Sequence, residues 1–598
     1  ACAVLSLLVL IINLTAIVIA IRSDSTNVGT SILLRGSCSL VSNTNIAAHV
    51  VLNILGTLLL GASSYAMQVA IAPTRQDIDE AHRVRHWLDI GVPSFRNLRR
   101  VSRSRAVCWT LLLLSSLPLH LIYNSSILAS QVANEYLVTE LDESFLHSGT
   151  STELLVFHNI LQDASKWDNL TLESCANAYS DPTMTSYRTL VLIVQPESGK
   201  ETLPGLFRTV AGKTWMCNQP PGVVAPDGAD SNGLSSFSCN PSRAAFGQRR
   251  NGSKRNWQKP NNPRYCLAEP VEEDCKLELS IPFVATVCVA NVVKIAVILL
   301  LSFNMRSSSL NTFGDAIASF LERPDDSTVG FCQHDAESLK QAWTSYQQPT
   351  PVPWHIRRRR QFSALSLPRI LLSSLVFIVS LITTATLLAL AIRADSARGT
   401  LSSTFTTAAF TSKDHFSIIG FESMANATLP GLVLLVNTPQ LLISFLYFLY
   451  NALLTCFLQA REWNSFSLRR QRLRVSKPRD GQRATYWLQI PPHYAVPMVL
   501  FSVSMHWLIS QSIFLSKVQF LDFLGRPSER FGAGGYGNMY GEYPGEVLAA
   551  GYSSMGIAVS LALGVVAVVV LVGVGARRLE GDMVVVGSCS AGIAAACH

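Results

Sequence analysis

The chain has 598 residues, of which 48% are hydrophobic and only 15% are charged, and its formal net charge at pH 7 is +8. Soluble domains usually carry about a quarter charged residues, so this composition excludes an ordinary soluble protein. Long apolar blocks separate the charged clusters, and many basic residues flank those blocks. This pattern indicates a protein of the lipid bilayer and argues against a nucleic-acid partner.

Eight apolar blocks are long enough to be membrane spans, because a helix needs about 20 apolar residues to cross the hydrocarbon. Backbone groups cannot stay unpaired in lipid, so each block is predicted to be helical. The first block shows no basic segment and no small-residue cleavage site, which favours a span over a signal peptide. The blocks are Ala1–Ile21, Ile46–Ala70, Val107–Leu128, Ile281–Phe303, Ile370–Ile392, Leu429–Phe457, Tyr494–Leu515 and Val547–Val574.

The basic residues determine the predicted orientation, because Lys and Arg are enriched in cytosolic loops. With eight crossings the arginine-rich stretches all fall on one side, and these are 73–106, 304–369, 458–490 and the tail 577–598. The long loop 129–280 is left out of the comparison, since long loops cross membranes largely regardless of charge. We therefore expect both termini in the cytosol and the protein in the plasma membrane or another membrane of the secretory pathway.

The loop 129–280 is long enough for a small domain outside the cytosol. Within it, Ser186–Gln195 is typical of a buried strand, and Lys276–Ile281 alternates before the fourth span. The expected fold is an all-α integral membrane bundle of about eight transmembrane helices with a small mixed α/β, disulfide-stabilised domain outside the cytosol. Its parts are 1–128 (spans one to three), 129–280 (outer domain), 281–303 (span four), 304–369 (cytosolic loop), 370–576 (spans five to eight) and 577–598 (cytosolic tail).

Cysteines and sequons on the predicted outer side support this orientation. Asn169 and Asn251 lie in glycosylation sequons of the long loop. The outer cysteines form an even set, as expected where disulfides persist, and the sequence leaves their pairing open. They are Cys38, Cys175, Cys217, Cys239, Cys266 and Cys275.

Several sequence motifs occur together along the chain. Among them are LGASSYAMQ (Leu60–Gln68), LSSLPLHLIYNSS (Leu114–Ser126), QRATYWLQIP (Gln482–Pro491) and GSCSAGIAAACH (Gly587–His598). With them, nearly the whole chain resembles a family of uncharacterised multi-span proteins of filamentous fungi, described only as a domain of unknown function. The resemblance implies a fungal membrane protein. It implies no substrate, cofactor or catalytic residue.

Polar residues inside the predicted spans are the candidate functional site. A charge at the depth of Lys294 costs at least about 2.5–3.5 kcal/mol, so this side chain either faces a cavity or extends to the cytosolic surface. Asn437 and Gln440 flank Pro439, which indicates either a broken helix that lines a cavity or an ordinary proline kink. If the polar side chains of these spans lie close together in the fold, they form a pocket near the bilayer midplane. The candidate residues are Lys294, Asn291, Asn437, Gln440, His506 and Gln511.

The basic loop 73–106 predicts an amphipathic helix that begins with Thr74 as its cap and ends before Gly91, and a second, arginine-rich helix that opens at Ser94 and runs into the third span. Such arginine-rich loops either dock anionic lipid or an unknown protein partner, or serve only to orient the spans. His82 and His86 have the spacing of two metal ligands on a helix, but the intervening arginines would repel a cation.

Templates for catalysis are missing, since no G-x-S-x-G, P-loop or CxxC pattern occurs. An enzyme is therefore not favoured, and no metal or cofactor is expected. The first hypothesis is a transport or channel-like protein with polar groups near the bilayer midplane. The alternative is a cell-surface receptor, sensor or scaffold that uses the outer domain and the basic cytosolic loops.

Overall fold

The computed structural model is a helical bundle with a β-sheet at one end and a layer of packed loops at the other. The described residues are 1–23, 29–134, 136–142, 166–179, 184–194, 206–209, 263–304, 309–345, 359–398, 428–479, 481–485, 488–522, 525–527, 530–531, 543–544 and 546–598. Cys217, Cys239 and Asn251, which the sequence singles out, lie outside these residues.

Seven helical segments of the described chain are long and apolar enough to cross a membrane. Many of their large apolar side chains face outwards, for example Leu371 at 61% and Val569 at 64% exposure, as a lipid-facing surface requires. The chain is thus a helical membrane protein. The segments are α1 (Cys2–Ser23), α2 (Cys38–Ile71), α5 (Arg103–Leu114) with α6 (Leu117–Leu121), α8 (Ile281–Asn304), α11 (Leu367–Arg398), α12 (Leu429–Ser465) and α14 (Ser554–Ala576).

The predicted span Tyr494–Leu515 is not among these seven apolar helices. Its residues form α13 (Pro492–Ser512), a helix of 21 residues. Pro497, His506 and Gln511 lie within it and make it less apolar than the other long helices.

Helix α13 nevertheless connects the two ends of the bundle. Just before it, Gln489 Oε1 accepts a hydrogen bond of 2.9 Å from the Phe313 N–H in the loop layer. At its other end, the Ser512 carbonyl accepts a hydrogen bond of 2.9 Å from the Ser553 N–H beside the sheet. The helix packs against α2 and α14, which run between the same two ends.

The sheet at one end of the bundle, which we call the cap sheet, gathers strands from most of the chain. Its strands are all antiparallel except for β2 and β11, which pair in parallel. The predicted spans Val107–Leu128, Tyr494–Leu515 and Val547–Val574 are wrong at these ends, because their apolar residues run on into strands, which apolar periodicity alone does not separate from helix. The order is β1 (Thr30–Gly36), β8 (Cys275–Ser280), β2 (Ile127–Asn134), β11 (Ile513–Leu521) and β14 (Glu546–Tyr552).

A second five-stranded sheet is built from the predicted outer domain alone. The strands expected at Ser186–Gln195 and Lys276–Ile281 are present, but the first lies in this second sheet and the other in the cap sheet. Helix α7 (Leu172–Ala178) packs against β7. The strand order is β4 (Asp168–Leu170), β7 (Pro263–Pro270), β5 (Tyr187–Val194), β3 (Tyr136–Asp142) and β6 (Leu206–Thr209).

Two disulfides join elements at this end of the molecule, which confirms the expectation of disulfide bonds. Cys38 at the start of α2 is bonded to Cys275 of β8, and Cys175 of α7 is bonded to Cys266 of β7. The sequon residue Asn169 lies on β4 and is exposed.

The loops at the opposite end pack into one layer, which we call the basal layer, formed by residues 72–102, 309–345, 461–479, 481–485, 488–491 and 577–598. Its elements are α3 (Arg75–Arg83), α4 (Phe95–Leu98), α9 (Phe313–Glu322), α10 (Ala336–Thr344), α15 (Ser590–Ala595), β9 (Arg474–Val475) and β10 (Arg483–Ala484). The layer has an apolar core of its own, drawn from all four loops, with Ile78, Leu88, Phe313, Phe320, Trp463, Val586 and Ile593. Stretches that read as separate basic loops are therefore parts of one folded unit.

The first segment of the basal layer follows its predicted start but not its predicted end. Thr74 caps α3 in a capping box with Asp77, as the spacing of these residues predicts. The helix then stops at Arg83, because Arg85 has a positive φ of 54°. The longer helix expected to reach Gly91 is therefore wrong.

Two further expectations for this loop are also wrong. His82 is buried and His86 is exposed, so the pair does not share a helix face as metal ligands would. Ser94 caps only the four residues of α4, and this helix ends before α5 begins at Arg103.

Candidate functional site

Polar side chains from α2, α6 with the turn after it, α12 and α13 meet inside the bundle beneath the cap sheet. We call this set the polar track. All of its members except Asn124 are buried, and buried polar groups are costly unless they find partners. Along α2 the track runs for about 18 Å at helical rise. Its members are Asn45, Asn53, Thr57, His120, Asn124, Ser125, Asn437, Gln440, Ser444, His506, Ser510 and Gln511.

The track begins in a cavity of about 30 Å³ directly beneath strands β2 and β11. On one wall, Asn437 Nδ2 donates to Ser125 Oγ at 2.6 Å and to the Val433 carbonyl at 2.8 Å. On another, Asn124 Oδ1 accepts a hydrogen bond of 3.2 Å from Asn53 Nδ2, and Asn53 itself lies beside the second cavity described below. Helix α12 is continuous through Pro439, so these amides project from an intact helix rather than from a broken one.

Two histidines lie deeper, beside a second cavity of about 20 Å³. His506 Nδ1 donates to Gln440 Oε1 at 2.8 Å, and Gln440 Nε2 donates to the His506 carbonyl at 2.8 Å. His120 Nδ1 lies 3.0 Å from Ser444 Oγ, and His506 Nε2 lies 3.4 Å from the same oxygen. The two imidazole rings are stacked, with centroids 5.8 Å apart.

The Ser444 hydroxyl is shared between these groups. It has a single proton, and it donates to the Gln440 carbonyl at 2.9 Å while lying beside both imidazoles. Since the amide oxygen of Gln440 can only accept, His506 carries its proton on Nδ1 and leaves Nε2 free to accept another. If His506 gains a proton on Nε2, that nitrogen becomes a donor to Ser444 Oγ, so this histidine holds an extra proton without leaving a donor unpaired.

Three buried polar atoms along the track have no hydrogen-bond partner among the described residues. They are Asn45 Oδ1 beside the first cavity, and Thr57 Oγ1 and His120 Nε2 beside the second. A water molecule needs about 10–15 Å³ and two or more polar partners, and both cavities meet these conditions. The track therefore suits single water molecules and excludes larger solutes in this conformation.

Lys294 lies just beyond the histidines and is fully buried, at 0% exposure. It is about 20 Å from the start of α8 at helical rise. Its Nζ donates to Ser116 Oγ at 2.8 Å, and Ser116 precedes His120 by one helical turn. Among the described residues Lys294 forms no salt bridge. Of the two alternatives for this side chain, extension to the surface is wrong, and Lys294 also lines neither of the two cavities. Asn291 points away from the track, towards the Ser6 carbonyl of α1 at 3.4 Å.

The track ends at this depth. Between Lys294 and the basal layer, apolar side chains from α2, α5, α8, α12 and α14 fill the bundle, among them Met67, Leu112, Leu301, Leu453, Leu454 and Leu571. The polar groups are thus connected towards the cap sheet and are sealed from the basal layer.

A second polar cluster, in the basal layer, escaped sequence analysis. His82 Nδ1 is hydrogen-bonded to Asp325 Oδ2, and His82 Nε2 lies 2.8 Å from Ser590 Oγ. Burial alone would raise the pKa of Asp325, but hydrogen bonds from His82 and Ser327, together with the charge of His82, lower that pKa to about 2. The order Ser–His–Asp is that of a serine hydrolase.

The chemistry of a hydrolase does not follow from this order. Ser590 Oγ already accepts the Leu88 N–H at 2.9 Å, and the serine is fully buried, at 0% exposure. His82 also packs against Trp343, with ring centroids 5.1 Å apart. The cluster therefore binds the last helix to two distant loops, and no sequence signal connects residues so far apart.

Comparison with known families finds two matches. Residues 1–130 match the model of a family of unknown function (DUF6536), and residues 333–598 match the model of a domain of unknown function (DUF8419). No curated protein and no solved structure matches the chain. The expected resemblance to domains of unknown function is confirmed, and the fungal origin stays a prediction. The polar track draws residues from both matched stretches.

Proposed function

We propose that this chain, which carries stretches of two families of unknown function, crosses the membrane eight times and conducts protons as a transport or channel-like protein. Helix α13 is the eighth crossing in this proposal. Its 21 residues span about 30 Å, the thickness of the hydrocarbon, and it joins the same two layers as its neighbours. His506 and Gln511 lower its hydropathy, but they face the polar track and not lipid.

The arginine-rich basal layer lies in the cytosol in this proposal, as such segments usually do. The cap sheet, the second sheet and both disulfides then lie on the opposite, oxidising side. Both termini are cytosolic, since Cys2 packs against the basal ends of α2 and α8 and the last helix belongs to the basal layer.

One observation carries the functional part of the proposal: the Ser444 hydroxyl is shared by His120 and His506 beside cavities of water size. Protons pass along hydrogen-bonded groups and single waters without an open pore. Because apolar side chains close the track towards the basal layer in this conformation, the proposal includes a second conformation in which the helices open the track on that side. Other ions would have to shed their hydration in these cavities, which are of water size. Histidine is the side chain that exchanges protons most readily near neutral pH.

The test is proton uptake by liposomes that hold the purified full chain and a pH-sensitive dye. Under a potassium diffusion potential, the wild-type liposomes should acidify faster than liposomes without protein. His506→Gln should lower the rate at least about tenfold, since glutamine forms hydrogen bonds but does not take up a proton. His493→Gln is the matched control, because His493 is exposed in the first turn of the same helix.

Thermal unfolding of each variant checks that the bundle still folds. Wild-type uptake no faster than that of empty liposomes would refute the proposal, and so would a folded His506→Gln variant with undiminished flux. If His493→Gln lost as much proton flux as His506→Gln, the loss would come from general damage to α13 and the assigned role of His506 would be refuted.

A receptor, sensor or scaffold is the second candidate, favoured by the folded layers at both ends of the bundle. The second sheet has its own buried residues, such as Tyr136 and Tyr179, and the basal layer has its own core. Absence of proton flux, together with tight binding of an extracellular ligand to the disulfide-bearing end, would favour this candidate over the first.

A further inference from the structure

Several arginines in and beside the basal layer are paired with acidic side chains. The pairs are Arg75 with Asp79, Arg105 with Asp77, Arg359 with Asp335, Arg474 with Glu462 and Arg479 with Glu322. Arg99, Arg100 and Arg103, like Arg469, Arg470 and Arg472, are exposed and form no salt bridge with any residue that the structure describes. The first three lie within five positions and make a local positive patch.

This patch lies where a membrane-length helix begins. Arg103 is the first residue of α5, and the first turn of α5 holds no acidic residue. Phe95 of α4 is 65% exposed, and its ring meets Trp109 edge-on with centroids 5.7 Å apart. Trp109 is about 9 Å along α5 at helical rise, so the exposed phenylalanine lies beside the apolar part of the span.

The segment is held in this position by its neighbours. Asn97 Nδ2 donates to the Asp89 carbonyl at 2.7 Å, and Asn97 Oδ1 accepts the Asp89 N–H at 3.0 Å. The Asp89 carboxylate accepts hydrogen bonds from Ser94 and Ser588, so it is not a partner for the exposed arginines. These hydrogen bonds hold the backbone of the segment in place. The three arginines therefore lie near the start of α5, and the Phe95 ring lies beside its apolar part.

We propose that Phe95, Arg99, Arg100 and Arg103 bind an anionic phospholipid from the leaflet next to the basal layer. Guanidinium groups pair with phosphate and carboxylate through two parallel hydrogen bonds, which suits the headgroup. The phenylalanine ring enters the acyl region below it, as aromatic side chains do at membrane interfaces. This site lies apart from the polar track, so it stands whether or not the chain conducts protons.

The probe is phosphatidylserine, titrated onto the detergent-purified full chain and followed by native mass spectrometry. We expect the triple variant R99Q/R100Q/R103Q to lower the affinity for phosphatidylserine at least about tenfold and to leave that for phosphatidylcholine unchanged. The matched control is R469Q/R470Q/R472Q, which removes three exposed arginines from the loop after α12, several residues beyond the end of that helix.

A second variant, Phe95→Ser, keeps every charge and should weaken phosphatidylserine binding several-fold, because it removes only the apolar contact. Melting curves check that both variants fold. The proposal is overturned if the triple variant binds phosphatidylserine as the wild type does, or if the control variant weakens binding equally. It is also overturned if Phe95→Ser has no effect, since the patch would then attract any anion in solution.

Discussion

Single residues in the basal layer hold together segments that are remote in sequence. Asp325 and Ser590 contact opposite nitrogens of His82, and they lie 243 and 508 positions away from it. A buried polar group stabilises a fold only when its partners are complete, and the removal of one partner leaves the others unpaired. His82 is therefore one of the groups that fix the position of the last helix, together with the backbone of Leu88.

We predict that Asp325→Asn destabilises the protein by about 2 kcal/mol at neutral pH, which corresponds to the lowering of the Asp325 pKa from 3.8 to about 2. Because this pKa is lower in the folded than in the unfolded state, the stabilisation is complete above about pH 4 and is lost as the pH falls towards 2. Thermal unfolding as a function of pH measures the difference from the wild type.

Asp326→Asn is the control for this substitution, because Asp326 is the next residue and is exposed. A difference in unfolding free energy between Asp325→Asn and the wild type that stays constant from pH 7 down to pH 2 would contradict the assigned role.

At the scale of single residues the sequence pointed to Lys294, because a charge inside an apolar block is visible by itself. It could not point to Asp325 or Ser590, since only the folded layer brings them to His82.

Among the elements, α9 and β9 make a close contact within the basal layer. The Thr312 hydroxyl donates to the Arg474 carbonyl at 3.0 Å, and the Asp315 carboxylate accepts the Ser476 N–H at 2.7 Å. A Cβ on Gly314 would lie 2.2 Å from the Arg474 carbonyl oxygen. Only glycine leaves room for the strand at the start of this helix.

Gly314→Ala is therefore expected to separate β9 from α9 and to cost about 1–3 kcal/mol, the usual range for overpacking. Thermal unfolding measures the loss, and faster hydrogen exchange in β9 locates it. Gly61→Ala should show neither effect, because a Cβ there meets nothing within 4 Å. An unchanged exchange rate in β9 of Gly314→Ala would show that the contact is not needed.

The long helices could be predicted from sequence because lipid demands long apolar blocks. The strands of the cap sheet could not, since β2, β11 and β14 continue apolar runs that read as helix. β11 pairs with β2 and β14, and the partner β2 lies far away in sequence. The basal layer was missed because each of its segments contributes only a few core residues, such as Ile78 or Ile593, which appear isolated along the chain.

At the scale of the whole molecule, the proposed orientation can be tested with a native cysteine. Cys332 is free and exposed in the basal layer. A membrane-impermeant maleimide should label it only after the cells are permeabilised, if the basal layer lies in the cytosol. Comparison with Cys332→Ser isolates its signal from that of other thiols. Labelling of intact cells that disappears in Cys332→Ser would invert the orientation.

The convergence of the polar track is likewise a property of the whole molecule. The sequence predicted polar residues in three spans, and α12 and α13 bring Asn437, Gln440, His506 and Gln511 together. It did not predict that α2 supplies Asn45, Asn53 and Thr57, because isolated polar residues in an apolar helix usually make local hydrogen bonds. Relative rotation of the helices decides which of these side chains meet.

The five strands of the cap sheet are synthesised far apart in time, since β1 is complete at Gly36 and β14 only at Tyr552. Until β11 emerges, the neighbouring strand β2 presents an unpaired backbone edge, and such edges recruit other chains. Pairing between remote segments is also slow. A ribosome that stalls before Ile513 would thus release a membrane-inserted intermediate with an open strand, which cellular quality control has to shield or degrade.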